Sequence, residues 1–158
     1  MGAVKIVSGG QTGVDQGALA GALATGSACG GWCPEGRRSE EGPIPAMYPV
    51  AELQRAGYRE RTLRNVLDSD GTAIIHDGEL EGGTRLTWVF CEQHGRPSVL
   101  IDVSALTRDQ AVDALIEFVT ANGLAVLNVA GPRASKWPGA FASTEGLLIA
   151  ALERLSEL

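Results

Sequence analysis

Short apolar runs alternate along this chain with stretches in which apolar residues recur every three or four positions. Val4 to Val7 is the first run, and it stops at Ser8. A glycine-rich turn, Gly9-Gly10-Gln11-Thr12-Gly13, separates it from a stretch with Val14, Ala18, Leu19, Ala22 and Leu23 on one helical face. The pattern predicts strand, tight turn and helix. Ala28 to Cys33 reads as a second strand, weakened by its glycines. Pro34 to Pro43 is polar and rich in glycine and proline, which predicts a long loop of a kind that often carries function. A short helix is expected within Met47 to Gly57, after Pro45, and another over Thr62 to Ser69 with Leu63, Val66 and Leu67 on one face.

The second half repeats the alternation. Thr72 to His76, Ser98 to Val103 and Leu124 to Val129 read as strands. Thr84 is the expected N-cap of a helix through Gln93, with Leu86, Val89 and Phe90 inward and Gly95 as its stop. Thr107 and Gln110 have capping-box spacing. Their helix turns Val112, Leu115, Ile116 and Val119 inward and ends at Gly123, and Leu148, Ala151, Leu152 and Leu155 stripe a final helix. Strands separated by helices form parallel βαβ units. The expected fold is α/β: three layers, an open and mostly parallel sheet with helices on both faces. In such sheets ligands bind beyond the carboxyl ends of the strands.

With 158 residues, a single ligand-binding domain over 1–158 is expected. Hydrophobic residues make up 44% and charged residues 20%, an ordinary balance for a globular protein. The net charge of −6 argues against a general nucleic-acid surface, but backbone N–H groups can still hold an anion. No apolar stretch nears the ~20 residues of a membrane span, and no signal-peptide layout precedes the first strand. A cytoplasmic location without membrane contact is the expectation. Three cysteines, Cys29, Cys33 and Cys91, read as buried thiols, with Cys33 the one candidate to face a ligand. No metal site is expected from them.

Chemistry gathers at the strand ends. Gly9, Gly10, Gln11, Thr12 and Gly13, followed by Asp15, open a helix in the manner of a phosphate loop. The spacing fits neither G-x-x-x-x-G-K-[ST] nor G-x-G-x-x-G, and a tight turn without ligand is the competing reading. Gly82, Gly83 and Thr84 form a second anion candidate, with simple helix capping as its competitor. Arg133, Ser135 and Lys136 follow the last strand and supply cationic and hydroxyl donors. Cys33, Glu35, Asp77 and Trp137 are candidates to line the same crevice; Trp32 and His76 fit core roles at least as well. No catalytic constellation is apparent, and no residue is assigned a catalytic role.

Four segments in order, Ser8 to Asp15, Gly31-Trp32-Cys33-Pro34 with the charged loop after it, Gly82-Gly83-Thr84, and Gly131-Pro132-Arg133 with Ser135-Lys136, resemble the molybdenum-carrier family. That bacterial group lies in a superfamily with the lysine-decarboxylase-like (LOG) proteins and the DNA-processing protein DprA. The resemblance covers nearly the whole chain. It implies a Rossmann-like fold, a homo-oligomer (dimer or tetramer), and a bound molybdenum cofactor or nucleotide. LOG enzymes carry a glutamate three positions after the threonine of their glycine-threonine motif; here Thr87 stands there, which puts nucleotide hydrolysis by that route in doubt. A binding or carrier protein for a small phosphorylated ligand is the leading expectation. A nucleoside-phosphate-processing enzyme and a nucleotide sensor are the alternatives.

Overall fold

In the computed structural model, residues 3–158 are described. A five-stranded parallel sheet is built from β1 (Lys5–Val7), β2 (Cys29–Gly30), β7 (Gly71–His76), β8 (Ser98–Asp102) and β9 (Val126–Ala130), in the order β2-β1-β9-β7-β8. Five helices accompany it: α1 (Val14–Ala24), α2 (Tyr58–Asp68), α3 (Gly82–Gln93), α4 (Arg108–Asn122) and α5 (Ala140–Ser156). The fold is the expected α/β, Rossmann-like architecture. Alternation along the strands splits the core. Ile6, Ala73, Ile75, Leu127 and Val129 join the inner faces of α1, α4 and α5, while Val66 of α2 packs with Phe90 and Cys91 of α3 in a separate cluster. β7 is buried at all six positions, as a central parallel strand should be. No helix among the described residues is long and apolar enough to cross a membrane.

Several expectations about local structure are corrected. The second strand is two strands, β2 and β3 (Trp32–Pro34), broken at Gly31. Gly31 has φ +125°, and a Cβ there would collide with the Ser8 backbone, so the chain turns out of the main sheet at that point. β3 then pairs in parallel with β6 (Ala51–Leu53), where a helix was expected. The loop between them holds a small hairpin, β4 (Arg38–Ser39) with β5 (Gly42–Pro43). α2 starts at Tyr58, four residues before the expected boundary, and α5 starts at Ala140. Leu23 is exposed rather than part of the inner face of α1. The capping box is present: Gln110 N–H donates to Thr107 Oγ1 at 3.1 Å and Thr107 N–H to Gln110 Oε1 at 2.9 Å.

The segment from 32 to 57 is a strap laid over the first glycine turn. Arg37 organises it, donating to the carbonyls of Ile44, Pro45, Tyr48 and Val50. Ile44, Tyr48 and Val50 are buried with Leu19 and Cys33. Trp32 ties the strap to α2. Its backbone exchanges bonds with the Asn65 amide, at 2.8 and 2.9 Å, and its indole donates to Asp68 at 2.8 Å.

Candidate functional site

A cleft of about 610 Å³ opens at the carboxyl ends of the central strands. The turn after β1 contributes Gln11 and Asp15, the segment after β7 contributes Asp77, Glu79 and Glu81, and α3 contributes Gly82, Gly83, Thr84, Leu86 and Thr87. Gly131, Pro132, Arg133, Lys136 and Trp137 follow β9, and α2 supplies Tyr58, Arg59, Arg61 and Thr62. Its volume is that of a pocket for a small molecule.

The two glycine segments play different parts. Around the first, the N–H groups of Gln11, Thr12 and Val14 are spent within the protein. Gln11 N–H donates to Asp15 Oδ2 at 3.2 Å, Thr12 N–H to Gln11 Oε1 at 3.0 Å, and Val14 N–H to the Pro132 carbonyl at 3.1 Å. The glycines are needed for protein contacts. A Cβ on Gly9 would overlap the Arg61 guanidinium, one on Gly10 would crowd Ile44, and one on Gly13 would meet the Pro132–Ala134 backbone. This turn therefore wraps its own buried carboxylate, Asp15. Desolvation pushes the Asp15 carboxyl up, opposed by Arg61 and by backbone N–H groups led by that of Gln11.

The second segment is open. α3 begins at Gly82, and its N-cap is Glu81, whose side chain makes no capping bond. Thr84 is thus the third helical residue rather than the expected N-cap, buried at the cleft edge. The first-turn N–H groups of Gly82 and Gly83 have no intrahelical acceptor, and the helix end carries partial positive charge. A Cβ on Gly83 would meet no protein atom within 4 Å, so this glycine faces space. Thr87 donates its hydroxyl to the Gly83 carbonyl at 3.0 Å, one turn back.

Of the residues singled out in the sequence, Gln11, Asp15, Asp77, Gly82, Gly83, Thr84, Arg133, Lys136 and Trp137 line the cleft. Gly9, Gly10, Thr12 and Gly13 sit behind it in protein contacts. Thr12 and Ser135 both donate to Glu40, at 2.6 Å each. Cys33 is fully buried in the strap core rather than facing the cleft, and Glu35 is exposed on the strap. All three cysteines are free thiols, and burial raises each above the usual thiol range. His76 closes β7, its Nδ1 2.6 Å from the Gly78 carbonyl.

Sequence reasoning missed the wall built by α2. Arg61 Nη1 lies 3.3 Å from Asp15 Oδ2, with side chains 12% and 4% exposed, and Arg61 Nε is buried without a partner. Arg59 lies over the Phe90 ring, 5.0 Å from its centroid. One signal was there to be read: Tyr58, Arg61, Thr62 and Asn65 are spaced i, i+3, i+4, i+7, as on one helical face. Because these residues are polar, hydrophobic periodicity does not display it.

Comparison with known proteins agrees with this geometry. Residues 6–152 match the circularly permutated YpsA SLOG family. No curated protein sequence matches. A crystal structure described as "Putative molybdenum carrier protein", from Syntrophus aciditrophicus SB, superposes with a TM-score of 0.90 at 41% identity, covering 95% of this chain and 94% of that one. A parallel sheet with its cleft at the strand ends, and a sequence match over nearly its whole length, place the chain in the circularly permutated YpsA SLOG family.

Proposed function

We propose that this protein binds and carries a small phosphate-bearing ligand in the cleft, with molybdenum cofactor, a phosphorylated pterin, as the first candidate cargo and a nucleotide as the second. The open first turn of α3 carries this reading. Gly82 and Gly83 present unspent N–H groups to a 610 Å³ cleft with no protein atom opposite Gly83, which is the arrangement that receives phosphate at helix N-termini. Arg59, Arg133 and Lys136 add positive charge, while Tyr58, Leu86 and Trp137 supply surface for a ring. The related crystal structure is named for a molybdenum carrier, which favours a molybdenum-bearing cargo as the first candidate.

Carriage is preferred to turnover because Thr87 holds the position of the LOG glutamate and spends its hydroxyl on Gly83. Native mass spectrometry of freshly purified protein tests the reading and gives the assembly mass, for which a homo-oligomer is our proposal. A co-purifying pterin or nucleotide mass is expected. Protein that carries none, and that binds neither class in calorimetry, would remove the proposal.

A further inference from the structure

Glu40, at the tip of the β4–β5 hairpin, is held by more donors than a hairpin tip needs. Its Oε1 accepts from the Thr12 hydroxyl at 2.6 Å and the Ser135 amide at 3.0 Å. Its Oε2 accepts from the Ser135 hydroxyl at 2.6 Å and pairs with Arg133 Nε at 3.1 Å. The hydroxyls are oriented for this. Thr12 Oγ1 accepts from Ala134 N–H at 3.1 Å, and Ser135 Oγ accepts from Arg133 Nε at 3.2 Å, so each turns its own hydrogen toward the carboxylate. The donors come from the segments following β1 and β9, the two strand ends that frame the cleft. Arg133 lines the cleft itself, and so does Gln11, whose Oε1 accepts the Glu40 N–H at 2.9 Å.

Within the hairpin itself, Ser39 Oγ donates to the Gly42 carbonyl at 2.6 Å and accepts the Glu41 N–H at 3.3 Å. The hairpin strands are two residues each, and so short a ribbon is marginal by itself. Two hydroxyl donors and one amide, with a guanidinium beside them, also suit a tetrahedral oxyanion. Such an anion offers the same pair of oxygens as a carboxylate, so the exchange of one for the other leaves no donor bare.

We infer that Thr12, Arg133 and Ser135 form an oxyanion seat on the cleft rim, filled here by Glu40. A tetrahedral oxyanion, free or as the terminal phosphate of a cleft ligand, takes Glu40's place and releases the hairpin tip. The seat is distinct from the α3 N-terminus, so it stands or falls separately from the proposed cargo site.

Calorimetry on the full chain with two probes, inorganic phosphate and adenosine 5′-diphosphate, tests it. Glu40→Ala is expected to bind phosphate about tenfold tighter than wild type or more, the scale of charge-assisted contacts freed for the probe. The gain persists in a Gly83→Val background and disappears in Glu40→Ala/Ser135→Ala. A gain with both probes assigns the seat to the free anion. A gain with the nucleotide alone, lost in the Gly83→Val background, assigns it to the terminal phosphate of a ligand anchored at α3. Equal affinity of wild type and Glu40→Ala for both probes overturns the seat, whatever Gly83→Val does to the cleft. Hydrogen exchange on wild type needs no variant: rising phosphate or nucleotide speeds exchange of the Glu40 amide, and an amide unmoved by either probe at any concentration overturns the displacement.

Discussion

Asp15 and Arg61 face each other across the floor of the cleft, Oδ2 to Nη1 at 3.3 Å, and almost none of either side chain reaches solvent. The carboxylate comes from the first turn of α1 and the guanidinium from α2 on the other side of the sheet. A single ion pair therefore clamps the glycine turn against the helix that walls the cleft.

Removing Arg61 leaves a buried carboxylate without its cation. Arg61→Ala is expected to cost about 3 kcal/mol at neutral pH, measured by urea unfolding. The pH dependence has a definite sign. Burial holds the Asp15 carboxyl above its unfolded value, and losing Arg61 raises it further. The variant's deficit should thus be small below about pH 4, where the unfolded carboxyl is also protonated, and grow as pH rises through the folded value. A deficit independent of pH would show that Arg61 acts through packing alone.

Glu40 has the opposite sign. Against the desolvation it suffers, hydrogen bonds from Ser135 and Thr12, with Arg133 nearby, hold its carboxyl below the usual range. Its stabilisation is complete above the unfolded value of about 4.3 and is lost as pH falls through the lower folded value. Glu40→Gln should destabilise by about 1 kcal/mol at pH 7, after solvent screening of this exposed residue is allowed for, with the difference from wild type closing in acid. Thermal unfolding across pH decides; curves that stay parallel into acid would mean the carboxylate charge does not hold the hairpin tip.

Gly83 separates folding from binding. Space surrounds it, so Gly83→Ala should stabilise the fold by about 0.5 kcal/mol through reduced backbone entropy. Gly83→Val should fold and yet fail to bind the co-purifying ligand, because the side chain fills the approach to the first-turn N–H groups. Undiminished affinity of a folded Gly83→Val would move the anion site away from α3.

Lys136 and Arg133 both line the cleft, but Arg133 is already paired with Glu40. The double alanine variant should lose roughly tenfold or more in ligand affinity and flatten its salt dependence. Most of the lost slope should follow Lys136→Ala alone. Dissociation constants at low and high salt check this, and identical slopes for Lys136→Ala and wild type would contradict it.

Adenosine monophosphate incubated with the protein should release no adenine above the buffer control, since Thr87 stands at the LOG glutamate position. Chromatography is sufficient, and release proportional to protein concentration would favour the enzymatic alternative.

Outside the strap, where β6 stands in place of an expected helix, the amino-acid sequence was enough for the strands and helices, the parallel α/β architecture, and the edge at which the chemistry gathers. Those features are local: apolar periodicity, the Thr107–Gln110 capping box and the glycines after strands are written in neighbouring residues. It also marked Gly82 and Gly83, because an open helix start has its own short signature. Tertiary structure decided which glycine turn is free. From residues 9 to 13 alone, a turn that cradles phosphate and one that cradles Asp15 look the same. The difference lies with Arg61, Ile44 and Pro132, which arrive from 31 to 119 positions further along the chain. The roles of Thr12, Arg133 and Ser135 were decided in the same way. Their donors meet Glu40 only because Gly31 turns the chain out of the sheet and the strap returns across the cleft rim. Hydrogen-bonding groups carry no label for their partner, so the sequence could name these donors but only the fold could say which acceptor they hold.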